Sequence, residues 1–433
     1  MANLMQELAR LSDDIYEHIE KKNPQILFMF DVQRLYWNNT LNAHAEGKKL
    51  VYVGAGAPCE LLWAFPNIWP FLLDMFPTRL GSDPERASKY IDIAEKYVAP
   101  TMCAIDKVDL GAVFSGDLPD TPDAFIWSSV PCDNSRSAYP AIEGYFQDRG
   151  ARGLKVDIPF RKDERSFRYI AEQYKDLIPQ LEEIAGQKLD RDYFKEVMAI
   201  SNETAGYMAK IADLRKLKPC PLPGRLLVLN EMIPAMAGHP AMRDFVKTQY
   251  ELGKMLVDMG MTATKAQPEV FRVSWLQNML WSNVGTLDWL EKQYGATVVM
   301  DAFGYQKTPL FTNPDDIDTV LFNLAQKTLA LPMIHGASGP IEDYANLVEN
   351  VMEDYAVDVS MFVGHVGCKH TWAAAKVIKD MVMEKFGLPT LTIDVDAVDG
   401  RYKTTEEIRG IIGEYMDNIV EQKEKGNYPP KKA

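Results

Sequence analysis

Apolar residues follow two alternating rhythms along this chain. Leu4, Leu8, Leu11, Ile15 and Ile19 recur at helical spacing, which predicts an amphipathic N-terminal helix within 1–22 that needs a partner surface, on its own chain or on another. A more polar helix is expected over 32–46. The apolar run 49–53, stopped by glycines and Pro58, reads as a buried strand and its turn. Residues 85–99 look helical, and 124–130 and 154–159 read as further strands. Long helical patterns take over at 167–184 and 193–217, and a proline-rich stretch at 218–224 separates them from another helical region. The strand–helix rhythm then returns. Strands are expected at 296–302, 359–366 and 390–395, and helices at 317–329, 341–355, 372–386 and 405–420, the last behind a capping Thr404 or Thr405. The charged tail 423–433 reads as frayed.

This alternation predicts an α/β protein of two lobes with parallel, Rossmann-like sheets. The first lobe would cover 23–162 and the second 261–433, with a helical segment at 163–260 between them. The 433 residues and 47% hydrophobic content allow cores of that size. A net charge of −14 argues against a nucleic-acid or membrane-surface binder. No run of about 18 apolar residues suggests a membrane span. Few cysteines and an amphipathic start, rather than a leader, point to the reducing cytoplasm.

The five cysteines are Cys59, Cys103, Cys132, Cys220 and Cys368. Cys103, Cys132 and Cys368 each lie at or near the end of a segment that reads as a strand or a strand-to-helix turn, where ligands gather in α/β proteins. Three thiols from distant segments could meet in the cleft between the lobes and hold an iron–sulfur cluster, leaving one iron without a cysteine. The alternative is that each is a small core residue, and no Cys-x-x-Cys pair decides between them.

Four ordered pieces carry a resemblance. They are residues 56–65 (Gly-Ala-Pro-Cys-Glu-Leu-Leu-Trp-Ala-Phe), 103–111 (Cys-Ala-Ile-Asp-Lys-Val-Asp-Leu-Gly) and 122–134 (Pro-Asp, a strand, then Pro-Cys-Asp-Asn). The fourth is a C-terminal set: Gly-Cys-Lys-His at 367–370, the stretch 387–396, and Asp-Gly-Arg at 399–401. Together they resemble the 2-hydroxyacyl-CoA dehydratase and benzoyl-CoA reductase superfamily over nearly the whole chain. The resemblance implies a 4Fe–4S cluster on Cys103, Cys132 and Cys368, an acyl-CoA substrate, a homologous second subunit, and a separate ATP-dependent iron–sulfur activator that delivers a low-potential electron. In the family, a ketyl radical then lets the α-hydroxyl leave. It also implies a functional glutamate at Glu60. Arg272 and Trp281 keep the spacing of a pair that lines the family's substrate region, but Gln277, Asn278 and Met279 replace the turn between them.

Read on its own, Glu60 is either a cleft acid or base or a first-turn residue that stabilises a helix dipole, and the resemblance favours the former. Cys59 reads as a buried thiol, with a fourth cluster ligand as the alternative. His365, Lys369 and His370 flank Cys368, where a hydrogen bond or a positive charge could tune a cluster or meet CoA. Lys107 and Arg136 each follow a cysteine by four residues. Trp63, Trp69, Trp275 and Trp281 read as pocket lining or as core. Gly54 and Gly56 lack the rest of a dinucleotide fingerprint, and no phosphate-binding lysine loop occurs, so ATP would be consumed by another protein. The expected function is the iron–sulfur subunit of an (R)-2-hydroxyacyl-CoA dehydratase. The alternatives are a subunit of an ATP-dependent aryl-CoA reductase and a non-catalytic electron relay.

Overall fold

A computed structural model describes residues 4–22, 27–81, 83–118, 121–264, 268–277, 279–305, 308–311 and 316–428. The first lobe carries four strands: β1 (Lys49–Val53), β2 (Ile68–Leu72), β3 (Ala124–Ser128) and β4 (Arg152–Val156). The second carries β5 (Phe271–Trp275), β6 (Ala296–Asp301), β7 (Val359–His365) and β8 (Thr390–Val395). The spatial orders are β2-β1-β3-β4 and β6-β5-β7-β8, and every pairing is parallel. The two-lobed α/β architecture expected from the sequence is therefore present.

Each chain path moves outward from its first strand and then crosses to the opposite side. The order reverses between β1 and β3, and again between β5 and β7. A crevice opens beyond the carboxyl ends of such strands. The central strands β1, β3, β5 and β7 are almost wholly buried, as expected for parallel strands covered on both faces. Edge strand β4 alternates instead, with Arg152 and Lys155 exposed and Leu154 and Val156 buried. It begins two residues earlier than the 154–159 expected.

Two strands were not foreseen. Pro70 interrupts β2, but β2 is an edge strand, where a missing N–H costs no ladder bond on the open side. β5 hides its nature behind Arg272 and Ser274, polar residues in a central strand. The Arg272 guanidinium is satisfied by backbone: Nε donates to Tyr355 O (2.7 Å), Nη1 to Leu217 O (2.9 Å) and Nη2 to Arg215 O (2.8 Å). Nη1 also pairs with Glu269 at 2.8 Å. Arg272 thus anchors the second lobe to the end of the helix Arg191–Lys216, and the expectation that it lies beside substrate is corrected. Asn278 lies outside the described residues.

The long helices Glu164–Ala185, Arg191–Lys216 and Pro240–Asp258 form the segment between the lobes. The N-terminal helix Leu4–Lys22 finds its partner on its own chain, the helix Phe28–Asn42. Asp13 accepts from Arg34 (2.5 Å) and Asn38 (3.2 Å), Leu8 is buried, and Glu7 meets Arg86 at 3.1 Å. The last helix, Thr405–Glu424, starts at a capping box of Thr404 and Glu407. Of the expected frayed tail, residues 429–433 lie outside the described residues.

Candidate active site

Cys103, Cys132 and Cys368 each occupy the N-cap of a helix: Ala104–Ser115, Asp133–Gln147 and Lys369–Phe386. Unbonded N–H groups and the positive end of the dipole at such positions favour an anionic sulfur. All three line one cavity of about 260 Å³, with Cys59, Glu60 and His365. Cys132 follows β3 and Cys368 follows β7, the corresponding strands of the two sheets.

The lobes meet at these turns. A Cβ on Gly367 would lie 2.5 Å from Cys103 Cα, so only glycine allows the backbones this close. Asn134 Nδ2 donates to Gly367 O (2.9 Å), and Lys369 Nζ reaches Asp133 (3.3 Å) and Asn134 (3.2 Å).

His365 is buried and its role is set by its second nitrogen. Nδ1 accepts the Ala397 N–H at 3.1 Å, so the neutral ring carries its proton on Nε2, which lies 3.1 Å from Cys103 Sγ. Burial holds the His365 pKa below its usual value, only partly opposed by Asp396, which favours this neutral donor form.

Burial, reinforced by nearby acids, also pushes the Cys103 thiol well above its ordinary range and Cys132 to about 12; it raises Cys368 too. Thiols in this setting become anionic when a cation compensates them. Among the described residues no group of three His, Cys, Asp or Glu converges as a site for one metal ion. The three thiols are nonetheless near enough for each to bear on another's ionisation.

Glu60 lies in the first turn of the short helix Cys59–Trp63, directly after the β1 turn. Ser201 Oγ donates to Glu60 Oε1 at 2.8 Å, Lys327 Nζ donates to Ser201 Oγ at 2.5 Å, and Lys327 lies 3.6 Å from Glu60. All three are buried, and they come from the first lobe, the helical segment and the second lobe. Burial lowers the Lys327 pKa, while Glu60 opposes that shift. Ser201 and Lys327 escaped the sequence reading. The available signal was a lysine within the largely buried, apolar helix Ile317–Ala330.

Behind Cys103 lie three more acids that the sequence did not single out. Burial raises Asp74 to about 6, Asp106 to about 7 and Asp109 well above the carboxylate range. Asp74 accepts from Tyr139 (3.0 Å) and the Ala55 N–H (3.1 Å).

Other flagged residues sit elsewhere. Lys369 and His370 do not line the cavity; Lys369 is half exposed at the seam between the lobes. Lys107 is held by Glu95 (2.8 Å) and Pro100 O (3.0 Å), and Arg136 by Ser129 O (2.5 Å), so neither cation faces the thiols. Cys220 is buried away from the cavity and donates to Leu222 O at 3.3 Å. Of the four tryptophans singled out, only Trp281 lines the cavity.

A cleft between two parallel-sheet lobes, walled by thiols and a buried acid at the switch points of both sheets, is the layout of an α/β ligand-binding protein. The family model for 2-hydroxyglutaryl-CoA dehydratase, D-component, matches residues 55–419, and the chain belongs to this family. It is 30% identical over 178 residues to the (R)-phenyllactyl-CoA dehydratase alpha subunit of Clostridium sporogenes, covering 38% of this chain and 41% of that one. It is 25% identical over 257 residues to the lactoyl-CoA dehydratase subunit alpha of Anaerotignum propionicum, covering 57% and 58%. Identity is also 25% over 258 residues with the (R)-2-hydroxyglutaryl-CoA dehydratase subunit alpha of Acidaminococcus fermentans, covering 57% and 50%. The chain thus spans about half the length of the curated relatives it matches. Among the described residues no helix is long and apolar enough to cross a membrane.

Proposed function

We propose that this chain is a subunit of an (R)-2-hydroxyacyl-CoA dehydratase, working with a homologous second subunit, and that Cys103, Cys132 and Cys368 hold a 4Fe–4S cluster. One observation carries the reading: three thiols from distant segments, each at a helix N-terminus, line one cavity with a buried glutamate. The donor set fits such a group. The thiols need a compensating cation to ionise, and a cluster takes its ligands on separate irons rather than at one point. When bound, the cluster supplies an electron at low potential.

The chain's own residues do the rest. His365 Nε2–H donates to the Cys103 sulfur and stabilises its anionic form. The apolar wall excludes water. Ser201 and Lys327 hold Glu60 beside the cavity, with Oε1 committed to Ser201, so Oε2 exchanges the proton with substrate. The electron comes from a separate ATP-dependent iron–sulfur protein, because this chain has no phosphate-binding lysine loop. Five unpaired cysteines fit a cytoplasmic setting.

The test is anaerobic purification with the second subunit, iron and sulfide analysis, and turnover of (R)-2-hydroxyacyl-CoA thioesters with and without activator. The expected result is one cluster on this chain and turnover only after activation. An iron-free chain, or turnover from the first cycle with neither activator nor strong reductant, overturns the proposal. Reduction of an aryl-CoA ring by the same complex would favour the reductase alternative.

A further inference from the structure

We infer that the cavity accepts thioesters whose acyl side chain is uncharged and apolar, aromatic or branched, and turns away acyl chains ending in a second carboxylate. This rests on reading the cavity as an acyl-CoA site and adds the chemistry of the acyl group.

Away from the cysteines and Glu60, the wall includes Met208, Leu227, Ile233, Met279, Phe303 and Met333. They come from the helix Arg191–Lys216, the turn Gly224–Met232, the second lobe and its helix Pro332–Ala337. Their side chains offer carbon and sulfur, and no donor for a carboxylate oxygen. The cation lining the cavity among the described residues is Lys327, and its ammonium is engaged by Ser201 and Glu60. Both ring nitrogens of His365 are engaged, Nδ1 by the Ala397 N–H and Nε2 by the Cys103 sulfur.

The remaining titratable lining is acidic. Asp301, at the end of β6, faces the same space, with Oδ1 fixed by the Gly304 N–H at 2.5 Å. Beyond the helix N-termini that carry the cysteines, a substrate carboxylate would therefore find neutral groups such as Thr204 and Asn230 but no unengaged cation, and an uncompensated buried charge is strongly disfavoured. An apolar side chain gains about fourfold in affinity for each methylene it buries. Met208, Met279 and Met333 can adjust to both flat and branched shapes, so the selection is for a class rather than one shape.

Binding tests this without turnover. The cluster-loaded complex is titrated with 3-phenylpropanoyl-CoA, 4-methylpentanoyl-CoA and glutaryl-CoA, which lack the 2-hydroxyl and cannot be dehydrated, with free CoA as reference. The first two should bind at least about a hundredfold tighter than glutaryl-CoA. Met333→Lys should raise glutaryl-CoA affinity about tenfold and weaken 3-phenylpropanoyl-CoA. Met208→Lys, on a different element, provides the same reading where the first variant fails to fold. Glutaryl-CoA binding within threefold of 3-phenylpropanoyl-CoA, or no acyl-CoA binding tighter than CoA itself, overturns the inference. The expected preference without dehydration of any matching (R)-2-hydroxyacyl-CoA would overturn the dehydratase reading and leave the acyl selectivity standing.

Discussion

In the first lobe, β1 runs out through Gly54–Pro58 and delivers Glu60. In the second, its counterpart β5 runs out into Leu276 and Gln277, a neutral amide. Gln277 Nε2 lies 3.3 Å from Thr371, its Oε1 accepts the His365 N–H at 3.4 Å, and it braces the turn that carries Cys368. The next crevice strands agree, since β3 leads to Cys132 and β7 to Cys368, each an N-cap. Cys103 has no counterpart between β6 and β7, where the described chain supplies Lys327 instead. One strand order thus serves two tasks. The first lobe brings two thiols and the acid, and the second brings one thiol with the imidazole and ammonium that brace them.

The equivalence of β3 and β7 is broken most completely at their cysteines. Cys132→Ala and Cys368→Ala should each abolish the roughly 400 nm absorbance of a loaded cluster and all turnover, whereas Cys220→Ala keeps both. Full iron in the Cys368→Ala chain would mean that the second lobe supplies no ligand.

The difference between β1 and β5 is sharpened at the acid. Glu60→Gln should keep iron content and melting temperature while turnover falls by about two to four powers of ten. Turnover near that of the unaltered chain would return Glu60 to a helix-dipole role.

Asp301 tests the second lobe's own buried carboxyl. Burial raises it to about 7, with Arg215 and backbone donors pulling the other way. The folded state then binds the proton more tightly than the unfolded chain, so this group's contribution to stability falls as pH rises from about 4 to about 7. Below that window no penalty exists, and above it the penalty is complete. Asp301→Asn removes the dependence. In denaturant melts its stability relative to the unaltered chain should therefore rise with pH, by at most about 1.4 kcal/mol per pH unit. A constant difference across the window would count against the buried, protonated form.

At the seam, Gly367→Ala should cost about 1–3 kcal/mol of stability and lower iron loading, because its methyl overlaps the Cys103 backbone. Unchanged iron content would show that the lobes tolerate separation there. Lys369→Ala is the mildest change, at most about 1 kcal/mol by thermal melt, since its ion pair with Asp133 is half exposed. A large loss of activity would bring Lys369 back to the site.

Much of this was legible in the sequence. Short apolar runs ending in glycine or proline marked β1 and β3, and Cys132, Cys368 and Glu60 were visible because they follow strands. Cys103, expected at such an end too, instead follows the helix Pro84–Ala94 and a loop. Arg272 and Pro70 hid β5 and β2, since their tolerance depends on carbonyls and a sheet edge that only the folded chain supplies. Lys327 and Ser201 were invisible for a related reason. Each lies on a helix whose buried face is defined by another segment, and they meet Glu60 only through tertiary packing.

The close fit of Gly367 against Cys103 also bears on how the molecule is made. Cys103 and Cys132 leave the ribosome early, but Cys368 emerges only after the helical segment and half of the second lobe. A chain that has not yet reached Cys368 can offer only two of the three thiols, so a cluster bound by all three must wait until much of the second lobe has been made.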